Sequence, residues 1–424
     1  MDKKNPVIAG MGIFCSAGQN MNEFTEALKS GKSNFSYREP ESPQHTYTDI
    51  RARVENFNCV EMLKKYISID HDVTMKKFGV LRRMPLYFQV TAMSCLEAWE
   101  NSKKYAENIP AERKALVAAG NDISSGSQYE IFKKYGDEPQ YVSASAMLQC
   151  MDTQLIGTLS ELFDIRGCGF TVGGASASGN AALIQALWLL RTGQADWCMV
   201  VGPVFNFSPL ELQGLYNLSA IGGAGFENMP QEASRPFDQK HGGFIPGEAG
   251  ACIILVNPDK LDDGQMPACS LTGGAQLLHG SKFTEPSLDA EERVMYAALK
   301  DAGLKAEEID YVNAHGTSTP LGDKTEIEAI EHVFSDTKEK IMVNSTKGII
   351  GHCMYSAGIA EAIATAVQLE NGFVHGNKNL ENPVENQLGL TKEMMEPVII
   401  EKALSNSFGF HGINTSIVIE KNNR

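Results

Sequence analysis

The chain lacks any apolar stretch able to cross a bilayer: its longest run, Ala181 to Leu190, contains Gln185 and falls well short of the roughly 20 residues a spanning helix needs. No apolar signal region follows Met1-Asp2-Lys3-Lys4-Asn5-Pro6, so a soluble, cytoplasmic protein is expected. Paired cysteines are missing too. Cys15, Cys59, Cys95, Cys150, Cys168, Cys198, Cys252, Cys269 and Cys353 include no C-x-x-C and sit mostly in apolar segments, a pattern of reduced thiols rather than of disulfides or a zinc site. Basic charge is scarce. With 37 Lys and Arg against 52 Asp and Glu, the net charge of −15 and the pI near 5.1 argue against nucleic acid or an anionic membrane as the main partner. An acidic carrier protein would require a local basic patch.

What is present suits a globular α/β protein. Hydrophobic residues make up 43% and charged residues 21% of 424 positions, which excludes disorder and allows a large core. Pro6 to Phe14 reads as a strand, Met21 to Ser30 as an amphipathic helix ending at Gly31, and the polar, proline-bearing Tyr37 to Asn58 as a surface insertion. Leu81 to Trp99 turns helical after Pro85, and Ala115 to Gly120, Trp197 to Gly202, Ala251 to Val256 and Ile309 to Ala314 read as buried strands. Strands separated by helices mean an α/β sheet. The polar, turn-rich Asn257 to Pro267 marks the boundary between two halves, 1–257 and 258–424.

Phe170 to Gly193 stands out. From Ala177 to Leu190 only Ser178, Asn180 and Gln185 are strongly polar, and a helix apolar on every side belongs in a core. Ser176 stands at its N-terminus after a Gly173-Gly174 turn, where free N–H groups favour negative charge and an oxyanion finds stabilisation. The competing reading makes Ser176 an ordinary N-cap. His352 to Ala366 repeats the theme: a glycine turn, a polar residue at the helix start, then small and aliphatic residues. Two such helices suggest an internal duplication.

His315 ends a strand and opens His315-Gly316-Thr317-Ser318-Thr319-Pro320, and His352 follows Gly351. Both placements suit side chains aimed into a cleft as hydrogen-bond donors or general acids. No third His or carboxylate falls at ligand spacing, so no metal is expected. Lys347 precedes His352 by five residues and is either a solvated loop lysine or a cation that tunes a histidine or carboxylate. Asp323 and Glu326 read as dipole-favoured acids in a first helical turn. Phe408 and Phe410, among glycines, read as a gate or as packing residues.

Together these segments resemble the β-ketoacyl-ACP synthases (ketosynthases) of the thiolase superfamily, across nearly the whole chain. That family's nucleophile segment typically reads T-V-D-T-A-C-A-S-G; here it is Thr171-Val172-Gly173-Gly174-Ala175-Ser176-Ala177-Ser178-Gly179. NAHGTSTPLGD matches the first family histidine at His315, NSTKGIIGH matches the second at His352 with Lys347 on the family's lysine, and Phe408 to Asn414 resembles the gating loop. Arg235-Pro236-Phe237-Asp238 also fits. The resemblance implies a five-layered α-β-α-β-α fold of two similar halves, a homodimer, no bound cofactor, and a substrate delivered on the phosphopantetheine arm of an acyl carrier protein, contacted by Thr317 and Thr319.

Three departures stand out: Ser176 where the family carries cysteine, His411 where the gating loop carries glycine, and Gly173-Gly174, which should loosen the turn before Ser176. A hydroxyl needs a base that a thiolate does not. With His315 and His352 present, the resemblance points to decarboxylation of malonyl-ACP to acetyl-ACP, as in the free-standing decarboxylases of polyketide β-branching cassettes. Three alternatives stay open: Ser176 as a true acyl-transfer or condensing nucleophile, a non-catalytic partner like a chain-length factor, and a thiolase-fold protein with a degraded site.

Overall fold

The structure, a computed structural model, describes residues 4–40, 42, 44–66, 77–261 and 265–423. Eleven strands form one sheet in the order Gly389–Leu390, Met342–Asn344, Tyr311–Asn313, Lys402–Gly409, Ile413–Lys421, Cys269–Leu278, Val7–Cys15, Ala249–Val256, Trp197–Gly202, Lys114–Ala119, Gly169–Val172. The halves meet at its middle, where Val7 pairs with Ser270.

The same five-strand pattern appears twice. In the first half Lys114–Ala119 lies parallel to both Gly169–Val172 and Trp197–Gly202, and Ala249–Val256 is antiparallel to Trp197–Gly202 and Val7–Cys15. In the second half Tyr311–Asn313 lies parallel to Met342–Asn344 and Lys402–Gly409, and Ile413–Lys421 is antiparallel to Lys402–Gly409 and Cys269–Leu278. The expected duplication is therefore written in the sheet.

Layering follows from which helices are apolar all round. Ser178–Arg191 and Ala357–Asn371 are buried along nearly their whole lengths, and each touches strands of both halves. They form the middle layer. Their close crossing depends on missing side chains: a Cβ on Gly179 would lie 2.8 Å from the Gly358 nitrogen. Leu86–Ser102 covers the first half's strands, and Leu288–Ala302 those of the second with Pro320–Val333 packed beside it. The result is α-β-α-β-α, as the resemblance implies. Among the described residues no helix is long and apolar enough to cross a membrane.

Some expectations need correction. Tyr37 to Asn58 is more than a surface insertion: Ser36–Arg38 pairs with Asp49–Arg51, Ile50, Ala52 and Val54 are buried, and Ala52 bridges to Gly247. Alternating apolar residues there were masked by polar neighbours. His352 does not start a helix. It lies in an extended segment bridged to Pro246, and the helix begins at Ala357 after a short turn, Met354–Ser356. Of the boundary segment Asn257 to Pro267, residues 262–264 lie outside the described residues, as do residues 1–3.

Candidate active site

The edge strand Gly169–Val172 leads into a turn in which Ala175 takes a left-handed conformation, φ 48°. One 3-10 turn, Ala175–Ala177, then feeds the 14-residue helix Ser178–Arg191. Ser178 ties this turn together: the Gly174 N–H donates to its Oγ (2.8 Å), which donates to the Ala175 carbonyl (2.7 Å). Ser176 is not the cap, and its hydroxyl is free for another partner. At Gly173 the chain is closely packed, since a Cβ there would lie 2.6 Å from Asn121 Oδ1, whereas one on Gly174 would meet nothing nearer than 3.4 Å.

The partner of Ser176 is His352, whose Nε2 lies 2.8 Å from Oγ. The Met354 N–H donates to His352 Nδ1 (3.1 Å), so Nδ1 carries the lone pair and Nε2 the proton. His352 thus donates to Ser176. His315 is set in the same way by a different group: Lys347 Nζ donates to the His315 carbonyl (2.6 Å) and reaches Nδ1 at 3.4 Å, leaving the proton on Nε2. The two rings stand 5.7 Å apart and perpendicular. Burial, then the Lys347 charge, pushes both imidazoles well below 6.5, and for His315 the neighbouring His352 adds to the effect. The site therefore holds two neutral imidazoles, each with an Nε2–H.

Buried carboxylates hold this geometry. Glu361, on the central helix Ala357–Asn371, forms an ion pair with Lys347, and both are enclosed. Lys347 is therefore no solvated loop lysine. Glu326 accepts the N–H groups of His315 and Gly316, each at 2.7 Å, and burial raises its carboxyl to about 7. Asp323 accepts from the N–H groups of Phe237 (2.8 Å) and Ser318 (3.0 Å). Asp323 does stand in the first turn of Pro320–Val333, but both acids are buried and spend their oxygens fixing the loop that carries His315 rather than only facing the helix dipole. The Arg235–Asp238 segment braces that loop, with the Arg235 N–H on Ser318 Oγ at 3.0 Å. The Phe237 ring lies so close under Gly316, φ +36°, that a Cβ there would lie 2.8 Å from it.

A cavity of about 410 Å³ opens over these groups, lined by Ser176, His315, His352, Thr317, Thr319, Phe408 and Phe410 among others. Lys347 sits behind it. The Thr317 and Thr319 hydroxyls are 2.9 Å apart, and Phe408 meets His315 at 5.6 Å between rings. His411 is left-handed, φ 64°, yet does not fill the cavity: its N–H donates to the Phe283 carbonyl (2.9 Å) and Nδ1 lies 3.1 Å from the Lys282 carbonyl, outside. The turn Met354–Ser356 packs on Ala175–Ala177, and Tyr355 covers Gly120 and meets Phe205 at 5.0 Å.

Residues 4–260 match the β-ketoacyl synthase N-terminal domain and residues 271–381 its C-terminal domain. The chain belongs to the β-ketoacyl synthase family. This family member is 32% identical over 415 residues to the Bacillus subtilis polyketide biosynthesis malonyl-ACP decarboxylase PksF, covering 98% of this chain and 96% of that one. It is 28% identical to the 3-oxoacyl-[acyl-carrier-protein] synthase 2 of Coxiella burnetii, covering 99% of both. A solved type II polyketide ketosynthase in complex with its acyl carrier protein, AntDE:AntF, superposes with a TM-score of 0.86 at 22% identity over the full length of both chains.

Sequence reasoning missed three groups in this ketosynthase-fold site. Glu361 had a signal, an acid within the apolar first turns of its helix, which demands a buried partner. Glu291 on the cavity wall and Tyr355 against Gly120 and Phe205 had none, because a single sequence does not say which distant side chains meet.

Proposed function

We propose that this chain decarboxylates a malonyl group carried on an acyl carrier protein to an acetyl group, in polyketide biosynthesis, without loading an acyl chain on Ser176. One observation carries the reading: two neutral Nε2–H donors face one cavity, and one of them donates to the serine. A base for Ser176 would need a lone pair toward its hydroxyl, and His352 holds a proton there. A thioester carbonyl placed between His315 and His352 gains two hydrogen bonds that strengthen as negative charge develops on its oxygen. The bond from C2 to the carboxylate breaks, its electron pair enters the enolate, carbon dioxide leaves, and C2 takes up a proton. The phosphopantetheine arm lies along Thr317 and Thr319, Phe408 and Phe410 border its path, and no separate cofactor is needed. The 32% identity to a malonyl-ACP decarboxylase supports this reading.

The test is to incubate the protein with malonyl-loaded carrier protein and follow the carrier's mass. Loss of carbon dioxide to give acetyl carrier supports the proposal; a stable acyl adduct on Ser176 from acyl carrier overturns it in favour of the nucleophile reading, and no turnover favours a non-catalytic partner. Ser176→Cys is expected to gain a short-chain acyl adduct, visible by intact-protein mass, because a thiol at a helix N-terminus is deprotonated more easily than a hydroxyl.

We also propose a homodimer. Gly169–Val172 is an edge strand of the sheet with Phe170 on it exposed, and Phe132, Tyr141, Met147, Leu148 and Met151 are exposed apolar side chains of the same half. Such an edge is a template for pairing with a second copy. Sedimentation equilibrium should give about twice 46.2 kDa; a monomer mass would refute it.

A further inference from the structure

An enolate formed in this cavity needs a proton, and the groups that stabilise it are poor sources. His315 and His352 are neutral and donate their Nε2 protons as hydrogen bonds to oxygen; giving one up would leave an imidazolate. The other titratable side chains lining the cavity are His279, Glu285, Glu291 and Glu326. His279 accepts from Asn414 Nδ2 at Nδ1 (3.2 Å) and lays its ring against Gly412. Glu285 is exposed at the mouth. Glu326 has both oxygens occupied by backbone N–H groups.

Glu291 differs from all of these. It lies in the first turn of Leu288–Ala302, is 1% exposed, and its Oε2 has no hydrogen-bond partner. A helix N-terminus favours a carboxylate, yet no side chain or backbone N–H compensates this one. Burial, with Glu326 as a second cause, holds its carboxyl well above the usual range. One turn along the same helix, Met295 Sδ takes a contact of 3.4 Å from Asn406 Nδ2, which also reaches Glu326 Oε1 at 3.3 Å. Glu291 is thus a buried, unpaired carboxyl on the wall of the cavity that holds both histidines.

We propose that Glu291 is the acid of this cavity, delivering its carboxyl proton to the carbon that has just lost carbon dioxide. The inference rests on the decarboxylase reading. C2 forms a bond to the Glu291 proton, the enolate electrons return the carbonyl, and the O–H pair stays on Glu291 as carboxylate. Water at the mouth restores the proton, so each turnover takes up one proton from solvent. Without the acid, the enolate persists long enough to recapture carbon dioxide.

The experiment supplies malonyl carrier protein together with ¹³C-labelled bicarbonate and carbonic anhydrase, and reads acetyl carrier and labelled malonyl carrier by mass. Glu291→Gln, which keeps the shape and removes the acid, should lower acetyl formation about 100-fold, within the range for a lost general acid, while label exchange into malonyl persists or rises. Glu291→Asp, which keeps an acid, should recover at least part of the acetyl formation. The proposal is overturned if Glu291→Gln forms acetyl at the wild-type rate, or if it loses label exchange along with acetyl formation, the mark of a role in folding or in C–C cleavage. If the unaltered protein forms no acetyl carrier, the decarboxylase reading itself fails and this inference with it; acetyl formation by the unaltered protein with no effect of Glu291→Gln fails this inference alone.

Discussion

His315→Ala and His352→Ala should each lower the rate of acetyl formation from malonyl carrier protein by about 10²- to 10³-fold, the cost of removing one preorganised donor to a developing oxyanion. The loss should fall on kcat more than on KM, because the bonds strengthen only as charge appears on the thioester oxygen. The two sites differ in one respect. His352 divides its Nε2–H between Ser176 Oγ and substrate, so a pose that displaces the serine sets its full strength. His315 has no such competitor and should show the larger effect. Since both donors act on one oxygen, the double variant should lose less than the product of the single losses. Steady-state rates with malonyl carrier decide the matter. Losses under tenfold for both variants would mean that the histidines do not hold the enolate.

The parts of this molecule legible from sequence are those set by local pattern. Ser178–Arg191 reads as a core helix because nearly every residue in it is apolar, and the two strand-final glycine turns read as turns because glycine is chosen where torsions or close approach demand it. The duplication was visible only as a similarity of two helices, whereas the repeated five-strand order emerges from pairings between distant residues that no window contains. The same limit applies to the site. His315, His352 and Lys347 belong to motifs contiguous in sequence, and the structure brings them within one cluster. Asp323 and Glu326 carry the spacing of helix-start acids, and only tertiary packing shows that their oxygens accept the loop N–H groups of Phe237, Ser318, His315 and Gly316. At Ser176 two readings compete, a site hydroxyl and an N-cap. Its position after a turn fits a cap, but Ser178, two residues on, is the residue whose Oγ receives the Gly174 N–H.

Lys347→Met should cost about 3–5 kcal/mol of stability, the usual price of stranding one partner of a buried ion pair, and should also remove most activity. Glu361 would be left in the core with only Ser407 Oγ near it, at 3.5 Å, and would fold only by taking up a proton. Stability and activity can be separated. Pairing Lys347→Met with Glu361→Leu replaces both charges with apolar groups, which often restores stability fully, so the melting temperature of the double variant should return most of the way to that of the unaltered protein. Activity should not return. Lys347 Nζ is the donor that keeps the lone pair on His315 Nδ1; without it the ring is free to place its proton on Nδ1 and a lone pair on Nε2, where it would repel the enolate oxygen. A double variant that regains both stability and decarboxylation would show that Lys347 serves the fold alone and that the tautomer of His315 is set by some other contact.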